Sequence, residues 1–469
     1  MFEVVIGLEV HLALNTESKM FCSCAAESQA NDANTASCPV CLGLPGSLPA
    51  INENAVEKGI MFSLALNCEI PELTQFHRKH YYYPDQPKNY QISQYDRPVG
   101  EHGSVELSNG RVIGITRCHL EEDAGRLVHP SYSDYSLVDV NRAGTALIEM
   151  VTEPELKSPE EAREFLRKIR AIAQALDISD ANPEEGKMRA DVNVSLHEPG
   201  TEFGTKVEIK NLNSFKSVQR SLEYEIKRQT RILEDGGKIR QDTMGWDDGG
   251  QKTYLMRTKE GEADYSYMPE PDLPPLRISK EKVEEIRSKT PELPDSKLVR
   301  YLDSGISEKD AVKISMDAKL SRFFDEVAKS YSGETQKIAN WLNGDITAYL
   351  NSKQLNIDDT KLKPVNLADL LRLIDNMQIS GKIAKDILED VINGANPESI
   401  VTEKGLGQIS DDSAIKEIAQ KVIADNPDLV ERVKANPKAI NALLGLVMKE
   451  SRGKANPEIV RKTLQDILG

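Results

Sequence analysis

Hydrophobic length is the first thing this chain lacks. Across 469 residues the longest apolar stretches, such as Ile60 to Leu66, fall far short of a bilayer-spanning helix. The opening Met1-Phe2-Glu3-Val4-Val5-Ile6-Gly7 has no basic segment followed by an uninterrupted apolar one, so no export signal is expected. Cysteine is scarce as well. There are six, four of them clustered, which excludes a disulfide scaffold and favours a metal site in a soluble, cytoplasmic protein. Positive charge is in deficit: Lys+Arg 59 against Asp+Glu 75 leaves −16. Such a chain cannot hold nucleic acid by bulk charge; DNA is not an expected partner, and RNA would have to meet a local basic patch. Familiar catalytic loops are also missing. None of the Gly-Lys pairs at 186–187, 237–238, 381–382 and 453–454 is followed by Ser or Thr, so there is no Walker A loop. Neither Gly-x-Ser-x-Gly nor His-Glu-x-x-His occurs.

What is present has two grammars. Apolar residues at 39% and charged ones at 29% suffice for real cores, and the length predicts two or three domains. Up to residue 293, strand and helix signals alternate. Phe2 to Leu14 reads as a strand, and 51–66 and 158–176 as helices. The second helix opens with Ser158 as N-cap, Pro159 at the first helical position and Glu161 to complete a capping box. Arg189, Asp191, Asn193, Ser195 and His197 alternate with Ala190, Val192, Val194 and Leu196 in the clearest strand. After Pro199-Gly200 the alternation returns as Lys206, Glu208 and Lys210 against Val207 and Ile209, which predicts a hairpin with one strongly polar face. That face is either solvated surface or the floor of a ligand site. A helix from about 214 to 235 then stops at Gly236-Gly237.

Beyond Pro294 strand signals nearly vanish. Helices are predicted at about 295–303, 317–330, 334–351, 366–378, 381–392, 412–424 and 437–450, punctuated by Asn-Pro at 396–397, 426–427, 436–437 and 456–457. The expected architecture is α+β, with a mainly antiparallel N-terminal domain (1–293), an all-α domain (294–408) and a small all-α tail (409–469). Residues 410–469 hold 10 Lys+Arg and 9 Asp+Glu, a net of +1, far less acidic than the rest.

Three constellations carry chemistry. Cys22-x-Cys24 and Cys38-x-x-Cys41 form two close thiol pairs, the arrangement tetrahedral Zn²⁺ needs; with four thiolates the shell is closed and the role structural. Metal-free cysteines or a redox pair are the plainer alternatives. Glu9-x-His11 places both side chains on one face of a strand, and His119-Leu120-Glu121-Glu122-Asp123, Glu149, Glu153 and Asp191 offer further oxygen donors. Carboxylates with one imidazole suit Mg²⁺ better than Zn²⁺, although each acid taken alone reads first as surface. Finally, His77-Arg78-Lys79-His80-Tyr81-Tyr82-Tyr83-Pro84-Asp85 interleaves cations with aromatics. That pattern can grip a polyanion and stack on bases, or belong to an ordinary strand.

Read together, these segments are familiar. Val5-Ile6-Gly7-Leu8-Glu9-Val10-His11, the run from Arg78 to Asp85, His119 to Gly125, Asp139-Val140-Asn141-Arg142-Ala143-Gly144 and Glu208-Ile209-Lys210-Asn211-Leu212-Asn213-Ser214 resemble the B-subunit family of glutamyl/aspartyl-tRNA amidotransferases, over essentially the whole chain. Met448-Lys449 with Gly453-Lys454-Ala455-Asn456-Pro457 is similar to a tail module of tRNA-associated helical proteins. The resemblance implies a cradle domain of the glutamine synthetase/guanidino-kinase type that binds ATP, Mg²⁺ and the aminoacylated end of tRNA. It implies phosphorylation of the side-chain carboxylate of misacylated Glu-tRNA(Gln) or Asp-tRNA(Asn), then amidation by ammonia channelled from an amidase (A) subunit that hydrolyses glutamine, with a small C subunit completing a heterotrimer. The tail would contact tRNA. Transferred motif by motif, Glu9, His11, Glu122 and Glu149 would form the Mg²⁺ shell, with Asp191 nearby. Lys79, Tyr82, Lys206, Glu208 and Lys210 would contact nucleotide or acceptor end, and Cys22, Cys24, Cys38 and Cys41 would hold Zn²⁺. A tRNA-binding scaffold without catalysis, and a partner-independent metal hydrolase, are the competing classes.

Overall fold

The computed structural model describes residues 2–26, 32–258, 265–407, 412–435, 440–451, 455 and 457–468. The chain divides into two compact units, Met1–Pro294 and Asp295–Gly469.

The first unit runs β1 (Glu3–Ala13), α1 (Glu53–Ala65), β2 (Leu73–Thr74), β3 (His77–His80), β4 (Tyr90–Ser93), β5 (Gly100–Glu106), β6 (Val112–Glu122), β7 (Arg126–Val128), β8 (Leu137–Asp139), β9 (Ala146–Thr152), α2 (Pro159–Ala175), β10 (Met188–His197), β11 (Val207–Lys210), α3 (Phe215–Glu234), β12 (Asp242–Asp247), β13 (Lys252–Thr258), β14 (Tyr267–Pro269), β15 (Leu276–Arg277) and α4 (Lys280–Lys289). Eight strands form one sheet in the order β13-β12-β11-β10-β1-β9-β6-β5. Every neighbouring pair is antiparallel except β11 beside β12. A smaller sheet, β14-β3-β4, holds the cation–aromatic segment.

Alternation decides which way the large sheet faces. Leu8, Val10 and Leu12 of β1, Ile148 and Met150 of β9 and Val192 and Val194 of β10 are buried in one core with Ile60 and Phe62 of α1, Phe165 and Ile169 of α2 and Leu222 of α3. Burial of each such side chain contributes about 1.5–3 kcal/mol. A one-residue slip of β1 would bury Glu9 and His11 instead, so the register is fixed.

Helix ends follow the local signals with one difference. Ser158 Oγ accepts from Glu161 N–H at 3.1 Å, as the cap requires. The Glu161 carboxylate does not close the reciprocal box; it accepts from Lys157 N–H at 2.8 Å and from Asn109 and Arg111 at 2.9 Å each. Those bonds tie the start of α2 to the β5–β6 turn. At the end of α3, Gly236 takes φ +76° and Gly237 N–H closes on the Ile232 carbonyl at 2.8 Å.

In the second unit every described element is helical. One hydrophobic cluster joins residues between Tyr301 and Ile400, and another joins residues between Ile415 and Leu464. The helix expected at 334–351 is interrupted by a π-helical turn, Leu342–Ile346. Periodicity alone misses the short helices Glu308–Ser315 and Pro397–Glu403. Asn396 caps the latter, accepting from Ser399 N–H at 3.0 Å, whereas the Asn426 amide turns back to the Val422 carbonyl. The Asn-Pro at 436–437, the tail residues Gly453, Lys454 and Asn456, and the expected boundary at 408/409 lie outside the described residues.

Candidate functional site

The polar face of the large sheet gathers groups that are distant in sequence. Register places Glu9 opposite Asp191, and His11 opposite Arg189 on one side and Glu149 on the other. His119 lies opposite Glu149 across the β6–β9 pair. His11 Nδ1 stands 3.1 Å from Glu121 Oε1 and 3.8 Å from Glu149 Oε2, and His119 Nε2 is 3.1 Å from the same Glu149 oxygen. His11, Glu121 and Glu149 each offer one ligand atom, all within 4.8 Å of one another.

Electrostatics mark this group as built for a cation. Burial, then Glu149, Asp191 and Glu208, push the Glu9 carboxyl above its ordinary range. Burial opposes the charge on Glu149, but His119 and His11 outweigh it and hold that carboxyl well below the usual range. Burial likewise disfavours charge on His11, yet Glu149 and Glu121 raise the imidazole to about 9. Two carboxylates, joined by the imidazole once a bound ion takes the place of its proton, form a donor set that suits a divalent cation.

Above this floor lies a cavity of about 430 Å³. Lys79, Arg189 and Lys210 line it beside His11, Glu121 and Asp191. Lys210 Nζ contacts Asp191 at 2.5 Å and Glu208 at 3.1 Å. Lys79 lies over the Tyr265 ring, 4.8 Å from its centre, and Glu121 and Glu149 overcome its burial to keep it charged. Arg189 donates to Asp123 at 3.0 Å. Sequence reasoning placed Arg189 on the correct face of its strand but gave it no role; the alternation of β10 was the signal.

The structure moves several expected residues. Glu122 is not in the donor group. Its Oε1 takes Lys88 and the Ile92 N–H, the latter at 2.9 Å, and Glu121 stands beside His11 instead. The cause is strand parity: His119 and Glu121 share a face of β6, and Glu122 belongs to the other. Tyr82 is 78% exposed, and the adjacent Tyr81 lines the cavity. Lys206 precedes β11 and is exposed, outside the cavity lining. Glu208 is buried, accepting from Thr243 at 2.9 Å, and supports Lys210 from behind. Glu153 accepts from Thr116 at 2.7 Å, away from the group.

The second donor group is closed. Cys22, Cys24, Cys38 and Cys41 bring their sulfurs within 4.8 Å of one another, a cluster that can hold a metal ion. Hydrogen bonding from Cys22 pulls Cys41 down to about 4 while Cys22 itself is pushed up. The ammonium of Lys19, fully buried, reaches the Ala36 carbonyl at 2.7 Å and Cys41 Sγ at 3.9 Å. Asn141 joins this knuckle to the loop before β9, accepting from Ala36 N–H at 2.8 Å.

Fold and site define a class: an α+β cradle protein with an acidic, cation-walled cleft on an antiparallel sheet and a thiol knuckle at its side. Known proteins make that specific. The GatB/GatE catalytic domain family matches residues 4–284, and the GatB domain family matches residues 322–468. A curated relative from Deinococcus radiodurans, named as the B subunit of aspartyl/glutamyl-tRNA(Asn/Gln) amidotransferase, is 53% identical over 100% of this chain and 99% of its own length. One of the same name from Thermus thermophilus is 52% identical over the full length of both, and one from Carboxydothermus hydrogenoformans is 49% identical over 100% of this chain and 99% of its own. The chain belongs to the family of B subunits of aspartyl/glutamyl-tRNA(Asn/Gln) amidotransferases.

Proposed function

We propose that this chain converts misacylated Glu-tRNA(Gln) or Asp-tRNA(Asn) to the amide in an ATP-dependent reaction. The observation that carries the reading is the meeting of a divalent-cation donor set and three cationic side chains around one cavity. A carboxylate does not react directly with ammonia, because the anion is a poor electrophile and has no leaving group. The substrate's side-chain carboxylate oxygen therefore attacks the γ-phosphorus of ATP, the bond to the β–γ bridging oxygen breaks, and ADP leaves. Ammonia then attacks the acyl carbon, the bond to the phosphate oxygen breaks, and the proton that nitrogen loses leaves with the phosphate as hydrogen phosphate.

Both anions must be brought together, so charge neutralisation and positioning are the protein's task. Lys79, Arg189 and Lys210 bind phosphate and carboxylate oxygens, while Asp191, Asp123 and Glu208 hold two of those cations in place. His11, Glu121 and Glu149, with Glu9 and Asp191 beside them, fit Mg²⁺, which when bound neutralises phosphate oxygens. The four cysteines fit Zn²⁺ in a structural role.

The family resemblance supports a carbon–nitrogen ligase that takes its ammonia from glutamine through an amidase partner, with a small third subunit, in the cytoplasm. Among the described residues no helix is long and apolar enough to cross a membrane. It also supports a three-part chain, with the tail from about residue 409 touching tRNA.

The test is ADP release by the purified complex with ATP, Mg²⁺ and ammonium chloride, with and without Glu-tRNA or Asp-tRNA. Ammonium bypasses the glutaminase. ADP that depends on aminoacyl-tRNA and disappears in Glu9→Ala is the expected result. Tight tRNA binding without ADP would make the chain a scaffold.

A further inference from the structure

Four carboxylates line the cavity: Asp85, Glu121, Asp123 and Asp191. Three have cationic partners. Glu121 faces His11 at 3.1 Å, Asp123 takes Arg189 at 3.0 Å and Arg142 at 3.4 Å, and Asp191 takes Lys210 at 2.5 Å. Among the described residues Asp85 enters no ion pair, and its Oδ1 is buried with no hydrogen-bond partner. Arg142 is near enough to act on Asp85 through space, but its Nε and Nη2 donate to the carbonyls of Ala124 and Gly125, and its Nε also stands 3.4 Å from Asp123. Asp85 is also held in place: its carbonyl accepts from Gly125 N–H at 2.8 Å, on the loop that leaves β6. A buried acceptor left without a donor costs about 1–3 kcal/mol, so a fixed one in a cavity wall is poised for a ligand donor.

Resting on the functional reading above, the ligand supplies one. The reacting end of an aminoacyl-tRNA is anionic at its side chain and neutral at its ester and bases; its single cationic group is the α-ammonium. The cations of the cavity account for the carboxylate and the phosphates, and Glu121, Asp123 and Asp191 are already paired, so among the described lining residues Asp85 is the carboxylate left to meet the ammonium. We propose that Asp85 binds the α-ammonium group of the aminoacyl-tRNA and thereby directs the side-chain carboxylate toward His11, Glu121 and Glu149. It is a binding residue that selects substrates with a free amine.

The test compares Glu-tRNA or Asp-tRNA with the same tRNA N-acetylated, which keeps the side chain and removes the charge. Wild-type and Asp85→Asn complexes are assayed for ADP release with ammonium chloride. Wild type is expected to favour the free amine by about 10- to 100-fold in kcat/KM, the size of a charge-assisted hydrogen bond. In Asp85→Asn that preference collapses toward unity while KM for ATP holds within about twofold, since uniform misfolding would not remove only the amine's advantage. Asp85→Asn activity that falls equally on both substrates, or a wild type indifferent to acetylation, overturns the assignment. A wild-type complex that makes no ADP with either substrate overturns the functional reading itself, and the assignment falls with it.

Discussion

The two donor clusters of the first unit are made in opposite ways. The cysteine knuckle draws its ligands from twenty residues of one loop and surrounds its centre with soft sulfur, leaving no position open to a substrate. The His11/Glu121/Glu149 group draws on three strands, two of them more than a hundred residues beyond the first, and His11 and Glu121 open onto a cavity with oxygen and nitrogen donors. One is a closed clamp and the other an open floor. The difference teaches where chemistry and stability are divided: substitutions on the floor should remove reaction and spare the fold, and those in the knuckle should do the reverse.

The sharpest way to break that contrast is at Glu149. Removing its charge takes away an anion that both histidines face. Glu149→Gln should lower aminoacyl-tRNA-dependent ADP formation by about a thousandfold, as loss of a preorganised electrostatic group does. Because His119 and His11 hold that carboxylate charged, its loss should also cost about 1–3 kcal/mol of stability while the complex still folds. Substantial turnover in a folded Glu149→Gln complex would place the reaction elsewhere. The converse experiment changes Cys22 and Cys24 to Ser together. Metal content should vanish and stability should fall by on the order of 3–5 kcal/mol, since structural-metal energy is folding energy. The fraction still folded should keep kcat within about threefold, because a closed shell offers nothing to a substrate. Metal analysis with parallel melting and turnover checks both.

The same contrast explains how much could be read from the sequence. The knuckle was fully legible, because its ligands lie close along the chain and the spacing is the site. Strand 189–197 and the polar hairpin were legible from period-two alternation, which placed Asp191, Glu208 and Lys210 on one face. The floor was legible only in part. Which of Glu121 and Glu122 joins His11 depends on strand parity within β6, and the sequence offers two adjacent acids with no local signal to choose between them. Tyr81 and Tyr82 pose the same difficulty just beyond β3. Asp85 closed a run that the sequence singles out, but nothing there marked its carboxylate, because an unpartnered oxygen is a property of the folded cavity. In the second unit, helices of seven and eight residues are too short for periodicity to establish.

Parity itself gives the next experiment. Glu121→Gln should raise the Mg²⁺ concentration for half-maximal activity by about 10- to 100-fold, the usual cost of perturbing a metal site, with little effect on melting. Glu122→Gln should do the opposite. It leaves the buried Lys88 ammonium facing a neutral amide, which lowers stability by about 1.5–3 kcal/mol and leaves the Mg²⁺ requirement unchanged. Titrating Mg²⁺ in both variants decides the matter; an unchanged requirement in Glu121→Gln would return the ligand role to Glu122.

The smallest expected effect tests the scaffold beneath both clusters. Glu161 sits at the start of α2 and accepts from Lys157 N–H, Asn109 and Arg111. Burial works against its charge, but those three bonds prevail and hold its carboxyl below the ordinary value near 4.5. A depressed carboxyl contributes stability that is present above the unfolded value and is lost as pH falls through the folded one. Glu161→Gln should therefore cost about 1 kcal/mol at pH 7, the size of a helix-cap interaction. The difference from wild type should begin to shrink as the pH falls below the ordinary carboxyl value near 4.5 and close only in stronger acid, once the wild-type carboxyl is itself protonated. Urea unfolding at the two pH values measures this directly. A gap that persists unchanged in acid would mean that the packing of the side chain, and not its charge, secures α2 to the β5–β6 turn.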